Sequence, residues 1–191
     1  LKQAAIGQDT GTLNWVEQHH LQNNSRLVEN LKVASGWEKA VETVLGDALQ
    51  AVCVDKLDSI TSLLDSLEQG SLILMETDST AEAFNDQLGQ LEPLNQKVQS
   101  GLTGSAVLHG VYAAETLDQG LIFRKQLKAG ESIVTRDGLW LSMDWIKVSR
   151  AADSYAGVLE RQQELEQLTC AIETLELTVE NQKKEQEQIH S

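Results

Sequence analysis

Long uncharged hydrophobic runs are absent from this sequence of 191 residues. No stretch of about 18 apolar residues occurs, so the sequence predicts no transmembrane helix. The N-terminus also lacks the basic region and the apolar region of a secretory signal, and we expect a cytoplasmic location. Because the chain begins at Leu1 rather than at Met, we expect it to be a segment of a larger protein.

Cysteines and phosphate-binding motifs are equally scarce. Cys53 and Cys170 are the only cysteines, and neither has a neighbour at the spacing of metal ligands, which argues against a zinc site. The glycine cluster at residues 101–104 lacks the lysine of a P-loop, which argues against nucleotide hydrolysis here. The sequence therefore predicts neither a metal nor a cofactor in this segment.

Basic residues are few, since 15 lysines and arginines face 29 acidic residues, for a net charge of −14. This balance argues against nucleic-acid binding as the dominant activity, because duplex affinity depends on neutralising phosphates. Residues 121–150 differ, with six basic residues against three acidic ones. The simpler interpretation of this stretch is a solvated mixed surface. The alternative is a weak DNA contact formed by Arg124, Lys125, Lys128, Lys147 and Arg150.

A heptad pattern is present near the C-terminus, and it predicts one helix of a coiled coil over residues 156–191. We expect the partner helix in residues 1–6, an apolar, helix-compatible stretch at the other end of the same chain. Glutamines at 182 and 186 interrupt the seam. The apolar heptad positions are Val158, Leu165, Ile172 and Val179 in one row, and Leu168, Leu175 and Ile189 in the other.

Between these ends the pattern predicts a mixed α/β body with two strand-helix-strand units. Such units favour parallel strands joined by a right-handed crossover. An amphipathic helix over residues 37–49 precedes the first unit. The first unit has strands at 51–54 and 72–75 around a helix at 60–67, and the second has strands at 107–112 and 132–135 around a helix at 117–127.

A hairpin is predicted to follow the second unit. Asp137-Gly138 is a tight-turn signal between the strand at 132–135 and the apolar residues 139–141. A further strand is expected at 145–148. The two units would be joined by a helical region that holds Pro93, the only proline.

Several segments together resemble the hinge domain of the structural maintenance of chromosomes (SMC) family, most closely the bacterial chromosome-partition type. They are Gly36-Trp37-Glu38-Lys39-Ala40-Val41-Glu42 followed by Leu45-Gly46 and Leu49-Gln50-Ala51-Val52, then Val134-Thr135-Arg136-Asp137-Gly138, and finally Gly157-Val158-Leu159-Glu160-Arg161 leading into heptads. No single segment is decisive, but their order and spacing are fairly specific.

The resemblance implies a homodimerisation hinge that joins two coiled-coil arms for chromosome condensation and segregation. It implies a hinge domain at residues 7–155, with lobe one at about 27–78, a connecting helical region at about 79–100 and lobe two at about 101–150. In that family lobe one of one copy pairs with lobe two of the other. ATP, Mg²⁺ and kleisin-type partners would belong to ATPase heads outside this chain, which would itself be no enzyme, and the location would be the nucleoid.

We expect the dimer contact to use strands at the lobe edges, which pair through main-chain hydrogen bonds. The strand chosen for this role holds Ile133, Val134 and Thr135, with Gly138 shaping the adjacent turn. The family often places glycine pairs after that turn, whereas residues 142–152 contain no glycine. Ala151 and Ala152 are the nearest small substitutes.

An enzymatic alternative uses two carboxylates, Asp55 and Asp58. They follow a predicted strand, where α/β sheets often bind ligands. The simpler explanation of Asp58 is an N-cap of the helix predicted at 60–67. A ligand pocket beside both carboxylates would favour the enzymatic interpretation.

Overall fold

A computed structural model describes residues 10–76, 85–99, 106–148 and 157–189. The predicted mixed α/β architecture is confirmed. The α-helices are α1 (Thr10–Gln18), α2 (Leu27–Asn30), α3 (Glu38–Leu45), α4 (Leu117–Phe123) and α5 (Val158–Ile189). The strands are β1 (Val52–Val54), β2 (Leu74–Glu76), β3 (Glu92–Pro93), β4 (Val111–Ala114), β5 (Ser132–Thr135), β6 (Leu139–Leu141) and β7 (Ile146–Val148).

Strands β1 and β2 form a two-stranded parallel sheet, which we call the sheet of lobe one. Val52 pairs with Leu74 and Val54 with Glu76, as the first strand-helix-strand unit predicts. The crossover differs from the prediction, because two short 3-10 segments, Leu57–Ser59 and Thr61–Ser66, replace the helix expected at 60–67. The prediction of an α-helix was therefore wrong. The apolar residues of this segment still contribute to the core, since Ile60 packs with Trp15 of α1.

The other five strands form one sheet in the order β3-β4-β5-β6-β7, which we call the sheet of lobe two. Its centre, β4 and β5, is parallel, as the second unit predicts, although β4 begins later than the strand expected at 107–112. The predicted hairpin is confirmed, because β6 returns antiparallel to β5 with Val134 opposite Trp140. The predicted last strand is present as β7, antiparallel to β6.

Because side chains alternate along β4 and β5, the two faces of this sheet contact two different cores. Val111 and Ala113 of β4 and Val134 of β5 face a core shared with α3 and lobe one. Tyr112 and Ile133 point the other way, into a second core that Leu117 and Phe123 of α4 cover. The sheet of lobe two is thus covered on both faces at its centre.

The connecting region differs from its prediction. In the described part, residues 85–99, it contains strand β3 and a 3-10 segment at Leu94–Lys97 rather than a helix, so the helical expectation was wrong there. Pro93 explains the placement: a proline has no N–H to donate, and it is tolerated in β3 because β3 is an edge strand. Leu94 and Val98 then enter the shared core.

Helix α5 leaves the body almost at once. Leu159 in its first turn is buried in the shared core, whereas the heptad residues from Leu165 to Val179 are exposed. This placement agrees with an arm, but the expected partner at residues 1–6 lies outside the described residues. Within the part of the chain that the structure describes, no helix is long and apolar enough to cross a bilayer.

Candidate functional site

The outer edge of lobe two is an exposed apolar strand. All three residues of β7 are exposed, and β6 is its only partner in the sheet order of the described residues. Ile146 and Val148 lie on the same face, and their exposed fractions are 51% and 50%. Natural edges are usually guarded by charge, by proline or by a covering element, and here Lys147 lies between the two apolar residues, so their exposed face is a candidate contact surface.

An aromatic cleft adjoins this edge. Trp140 of β6 and Trp145 before β7 meet edge to face, with ring centroids 5.4 Å apart. The Trp140 indole donates a hydrogen bond of 3.0 Å to the Ser132 hydroxyl, which fixes the ring against β5. The cleft has a volume of about 480 Å³, and Met143 and Trp145 line its mouth with half-exposed side chains.

Lobe one offers a second edge. Strand β2 pairs with β1 on one side, and β1 is itself bridged on its far side, at Val52, by Arg26. In the described residues no strand is paired to the outer side of β2, whose three residues are half-buried. The Glu76 carboxylate at the end of β2 accepts a 3.0 Å hydrogen bond from the Leu57 amide, which holds the 3-10 crossover against the strand. Within the described ranges, each lobe therefore offers a three-residue strand with one open side.

The strand chosen for the interface from sequence does not lie at an edge. Strand β5 has β4 on one side and β6 on the other, and Ile133, Val134 and Thr135 are buried. The edge position predicted for these residues was wrong, because both rows of their main-chain groups are already paired within the chain. The Thr135 hydroxyl even accepts a hydrogen bond from the Leu139 amide inside the hairpin.

Gly138 shapes the turn as predicted, but it also has a second role. Its φ of +77° is in the region that favours glycine. A Cβ there would lie 2.8 Å from the Thr43 hydroxyl of α3, so the glycine lets the hairpin approach the helix. Ala151 and Ala152, the small residues offered as interface substitutes, lie outside the described residues.

The structure brings part of the predicted basic set together. Lys147 lies 5.7 Å above the Trp140 ring, and Lys128 lines the same cleft. Acidic Glu131 and Asp144 also line it. Arg124 and Lys125 lie on the 3-10 segment after α4, and Arg150 is outside the described residues.

The carboxylates of the enzymatic alternative lie on an exposed loop. Asp55 follows β1, and Asp58 sits inside the 3-10 segment Leu57–Ser59. Ile60 occupies the N-cap position of the 3-10 segment Thr61–Ser66, which replaces the predicted helix, so the capping role predicted for Asp58 was wrong. The aromatic cleft is lined by other residues. Within the described ranges, no group of three or more histidines, cysteines and carboxylates could hold a metal ion.

Two buried carboxylates were missed by sequence reasoning. Glu42 of α3 accepts hydrogen bonds from the amides of Gly157 and Leu159, and burial raises the pKa of its carboxyl group above the usual value. Glu131 accepts a 3.3 Å bond from the Tyr112 hydroxyl, and burial, with Glu131 beside it, raises the pKa of Tyr112 to about 12. The signal for Glu42 was available, since it lies three and seven residues before Leu45 and Leu49 on the predicted helix, and an acid on an apolar face implies a partner.

An arginine joins the two lobes. Arg136, in the hairpin turn, donates through Nε to the Gly36 carbonyl at 3.1 Å and through Nη2 to the Ser35 carbonyl at 3.3 Å. Its third contact is an ion pair of 3.2 Å with Glu115. Its guanidinium also lies 5.9 Å from the Trp37 ring centroid. The planar fork of arginine suits such a multiple contact, so the lobes are held in one arrangement.

Known proteins resemble this chain in sequence and in fold. The model of the SMC proteins Flexible Hinge Domain matches residues 22–124. The Chromosome partition protein Smc of Coxiella burnetii is 37% identical over 175 residues, which are 90% of this chain and 15% of that protein. The Smc of Xanthomonas oryzae pv. oryzae is 32% identical over 161 residues, 84% of this chain and 13% of that protein.

A solved structure gives the same fold. The crystal structure of an asymmetric dimer of the Geobacillus stearothermophilus SMC hinge domain matches with a TM-score of 0.62 at 20% identity. The match covers 88% of this chain and 74% of that one. The chain thus spans most of a solved hinge structure, but only about 15% of the length of the first curated relative.

Proposed function

The chain belongs to the SMC flexible hinge domain family, and from that premise we propose that it joins two copies of its parent protein by self-association. The observation that carries the proposal is the edge at β7, which has no strand on its outer side within the described residues and where Ile146 and Val148 are half exposed. The likeness to a hinge structure described as a dimer supports the same assignment.

The pairing mode that we propose uses two strands that each have one open side within the described residues, β7 in lobe two and β2 in lobe one. If β7 of one copy pairs with β2 of the second about a two-fold axis, the contact occurs twice, and both of these edges are used in both copies. Pairing of β7 with β7 would leave each β2 edge open. The two-fold β7–β2 mode closes the assembly at two copies, and it places lobe two of one copy against lobe one of the other, as the family resemblance implies.

The energy of association would come from two sources. Main-chain hydrogen bonds across the new strand pairs set the register. The apolar side chains beside β7, namely Met143, Trp145, Ile146 and Val148, supply most of the buried area at each contact. Because each contact occurs twice in the closed dimer, a substitution in β7 weakens both.

Light scattering during size-exclusion chromatography tests this function. We expect a mass of twice the 21.0 kDa chain, and a single-chain mass for the double variant Ile146→Lys, Val148→Lys, because lysines oppose edge pairing. Leu177→Lys is the control, since Leu177 is also exposed but lies on α5 outside both heptad rows. A wild-type protein that stays monomeric at high micromolar concentration rules the proposal out.

Helix α5 would then be an arm that connects the hinge to distant parts of the parent protein. Its exposed apolar residues keep the heptad spacing over Leu165, Leu168, Ile172, Leu175 and Val179. We propose that residues 1–6 begin the antiparallel partner helix, and that the ATPase heads, with ATP, Mg²⁺ and a kleisin-type partner, lie beyond the arms. The relatives named for chromosome partition support a role at the bacterial nucleoid.

Weak DNA binding is a second candidate function, favoured by one observation. Lys128 and Lys147 flank a cleft that also exposes Trp145, and aromatic rings stack on unpaired bases. We expect single-stranded DNA to quench the tryptophan fluorescence, with an affinity that falls as salt rises. The variant Lys128→Gln, Lys147→Gln should weaken the quenching. Salt-independent quenching, or the same affinity in that variant, would remove this candidate.

A further inference from the structure

The arm helix α5 begins without a cap of its own. Its first intrahelical hydrogen bond runs from the Arg161 amide to the Gly157 carbonyl, so Gly157 occupies the N-cap position. A helix start leaves its first amides without intrahelical acceptors, and an N-cap side chain usually supplies one. Glycine has no side chain to do so.

Glu42 supplies the missing acceptor from another helix. Its Oε2 accepts from the Gly157 amide at 2.9 Å, and its Oε1 accepts from the Leu159 amide at 2.8 Å. Both bonds span more than 110 residues of sequence. Glu42 is only 6% exposed, and its bond to Leu159 is buried, while its bond to Gly157 is partly buried. Hydrogen bonds to a carboxylate are stronger than those to a neutral acceptor. A carboxylate at a helix N-terminus also complements the helix dipole.

Further contacts fix the same turn of α5 to the body. Leu159 is fully buried in the shared core. The Gln163 amide group donates to the Val33 carbonyl at 3.4 Å. Apolar packing of this kind limits how far the helix start can shift, whereas paired hydrogen bonds also set its direction.

Helix α3 connects this cap to the sheet of lobe two. Next to Glu42, the Thr43 hydroxyl approaches the Gly138 carbonyl of the hairpin at 3.4 Å. Gly138 packs so closely that a Cβ there would meet that same hydroxyl. Adjacent residues of α3 thus contact the arm on one side and the sheet that carries β7 on the other.

We propose that Glu42 is a positioning residue that sets the direction of the arm relative to the sheet of lobe two. It acts through the two amides at the start of α5, and it makes α3 the rigid link between the β7 edge and the arm. This coupling lies within one chain, so it holds whether or not the chain self-associates.

The substitution Glu42→Gln is the direct test. The new side chain keeps one acceptor oxygen, but its NH₂ group meets the second amide, so one cap bond is lost. We expect the amide that loses its acceptor, Gly157 or Leu159, to exchange roughly tenfold faster with solvent. Glu38→Gln is the matched control, because Glu38 lies one turn earlier on α3 and the charge change is the same. It should leave both exchange rates unchanged.

The arm direction is measured by the distance between two spin labels. Native Cys170 is exposed on α5, Cys53 is buried, and Asp118→Cys places a second label on exposed Asp118 of α4. Labelled protein is diluted with unlabelled protein, so that the distances lie within one chain. We expect a narrow distribution in the Glu38→Gln protein and a clearly broader one in the Glu42→Gln protein.

A distribution of unchanged width in a folded Glu42→Gln protein overturns the proposal. If that variant does not fold, amide exchange in the wild-type protein still tests whether Glu42 caps α5. In the unaltered chain the Leu159 amide should exchange more slowly than the amide of exposed Glu160, the next residue in the same turn. Equal exchange at the two positions means that Glu42 does not cap α5, and it overturns the proposal as well.

Discussion

Strands β5 and β7 belong to one sheet and have similar apolar residues, yet they have opposite environments. In β5, Ile133 is fully buried and strands pair on both sides, whereas in β7, Ile146 is 51% exposed and one side has no partner strand among the described residues. The isoleucines differ in neighbours rather than in chemistry. Apolar content alone therefore does not distinguish a central strand from an edge strand, because strand order decides which strand is left at the edge.

Alanine substitutions at the two isoleucines should give very different losses in the free energy of unfolding. Ile133→Ala removes a fully buried side chain between Gly120 of α4 and the sheet, and it should lower the free energy of unfolding by about 2–5 kcal/mol. Ile146→Ala should change it by no more than about 0.5 kcal/mol in the separated chain. Urea unfolding at a protein concentration low enough to give single chains measures both. Equal losses of unfolding free energy at the two positions would show that Ile146 is packed as tightly as Ile133.

A smaller effect is expected at the contact between the lobes. Arg136→Lys keeps the charge but loses the forked hydrogen bonds to Gly36 and Ser35, and we expect a loss of about 1 kcal/mol in the free energy of unfolding. Arg124→Lys, on the 3-10 segment after α4, is the control and should cost less than about 0.5 kcal/mol. If the control costs as much as Arg136→Lys, the two lobes are not held by this arginine.

A pH-dependent change in the free energy of unfolding is expected at Tyr112, which lies opposite Ile133 on the neighbouring strand β4. Its pKa is about 12 in the folded chain, against about 10 when unfolded, so folding favours the neutral phenol. The stability from this group is complete below about pH 10 and is lost as the pH rises through about 12. Tyrosinate absorbance should show one tyrosine that titrates late. Tyr112→Phe should remove both that late titration and the associated loss of stability.

Much of the fold was predictable from local patterns. The Asp137-Gly138 turn signal gave the β5–β6 hairpin, and the two strand-helix-strand units gave both parallel pairs. The misses have physical reasons. Strand β3 contributes only two residues, so it has no readable alternation. The spacing of residues 60–67 does not distinguish an α-helix from successive 3-10 turns.

The candidate site was less predictable than the fold. Strand order within the lobe-two sheet depends on β3 and β7 taking the two edges, and alternation in β5 does not reveal its neighbours. The cap on α5 joins residues far apart in sequence, and only the unusual acid at Glu42 indicated that a partner exists. The predicted contacts at Arg150, Ala151 and Ala152 remain predictions, because these residues lie outside the described ranges.

Amide hydrogen exchange as a function of protein concentration tests whether two copies pair through β7 and β2. As the mass rises from one chain to two, the amides of β7 and β2 should become protected together, while those of β5 should stay protected throughout. Formation of a two-chain species with no change in amide exchange at β7 would show that the two copies do not pair through β7.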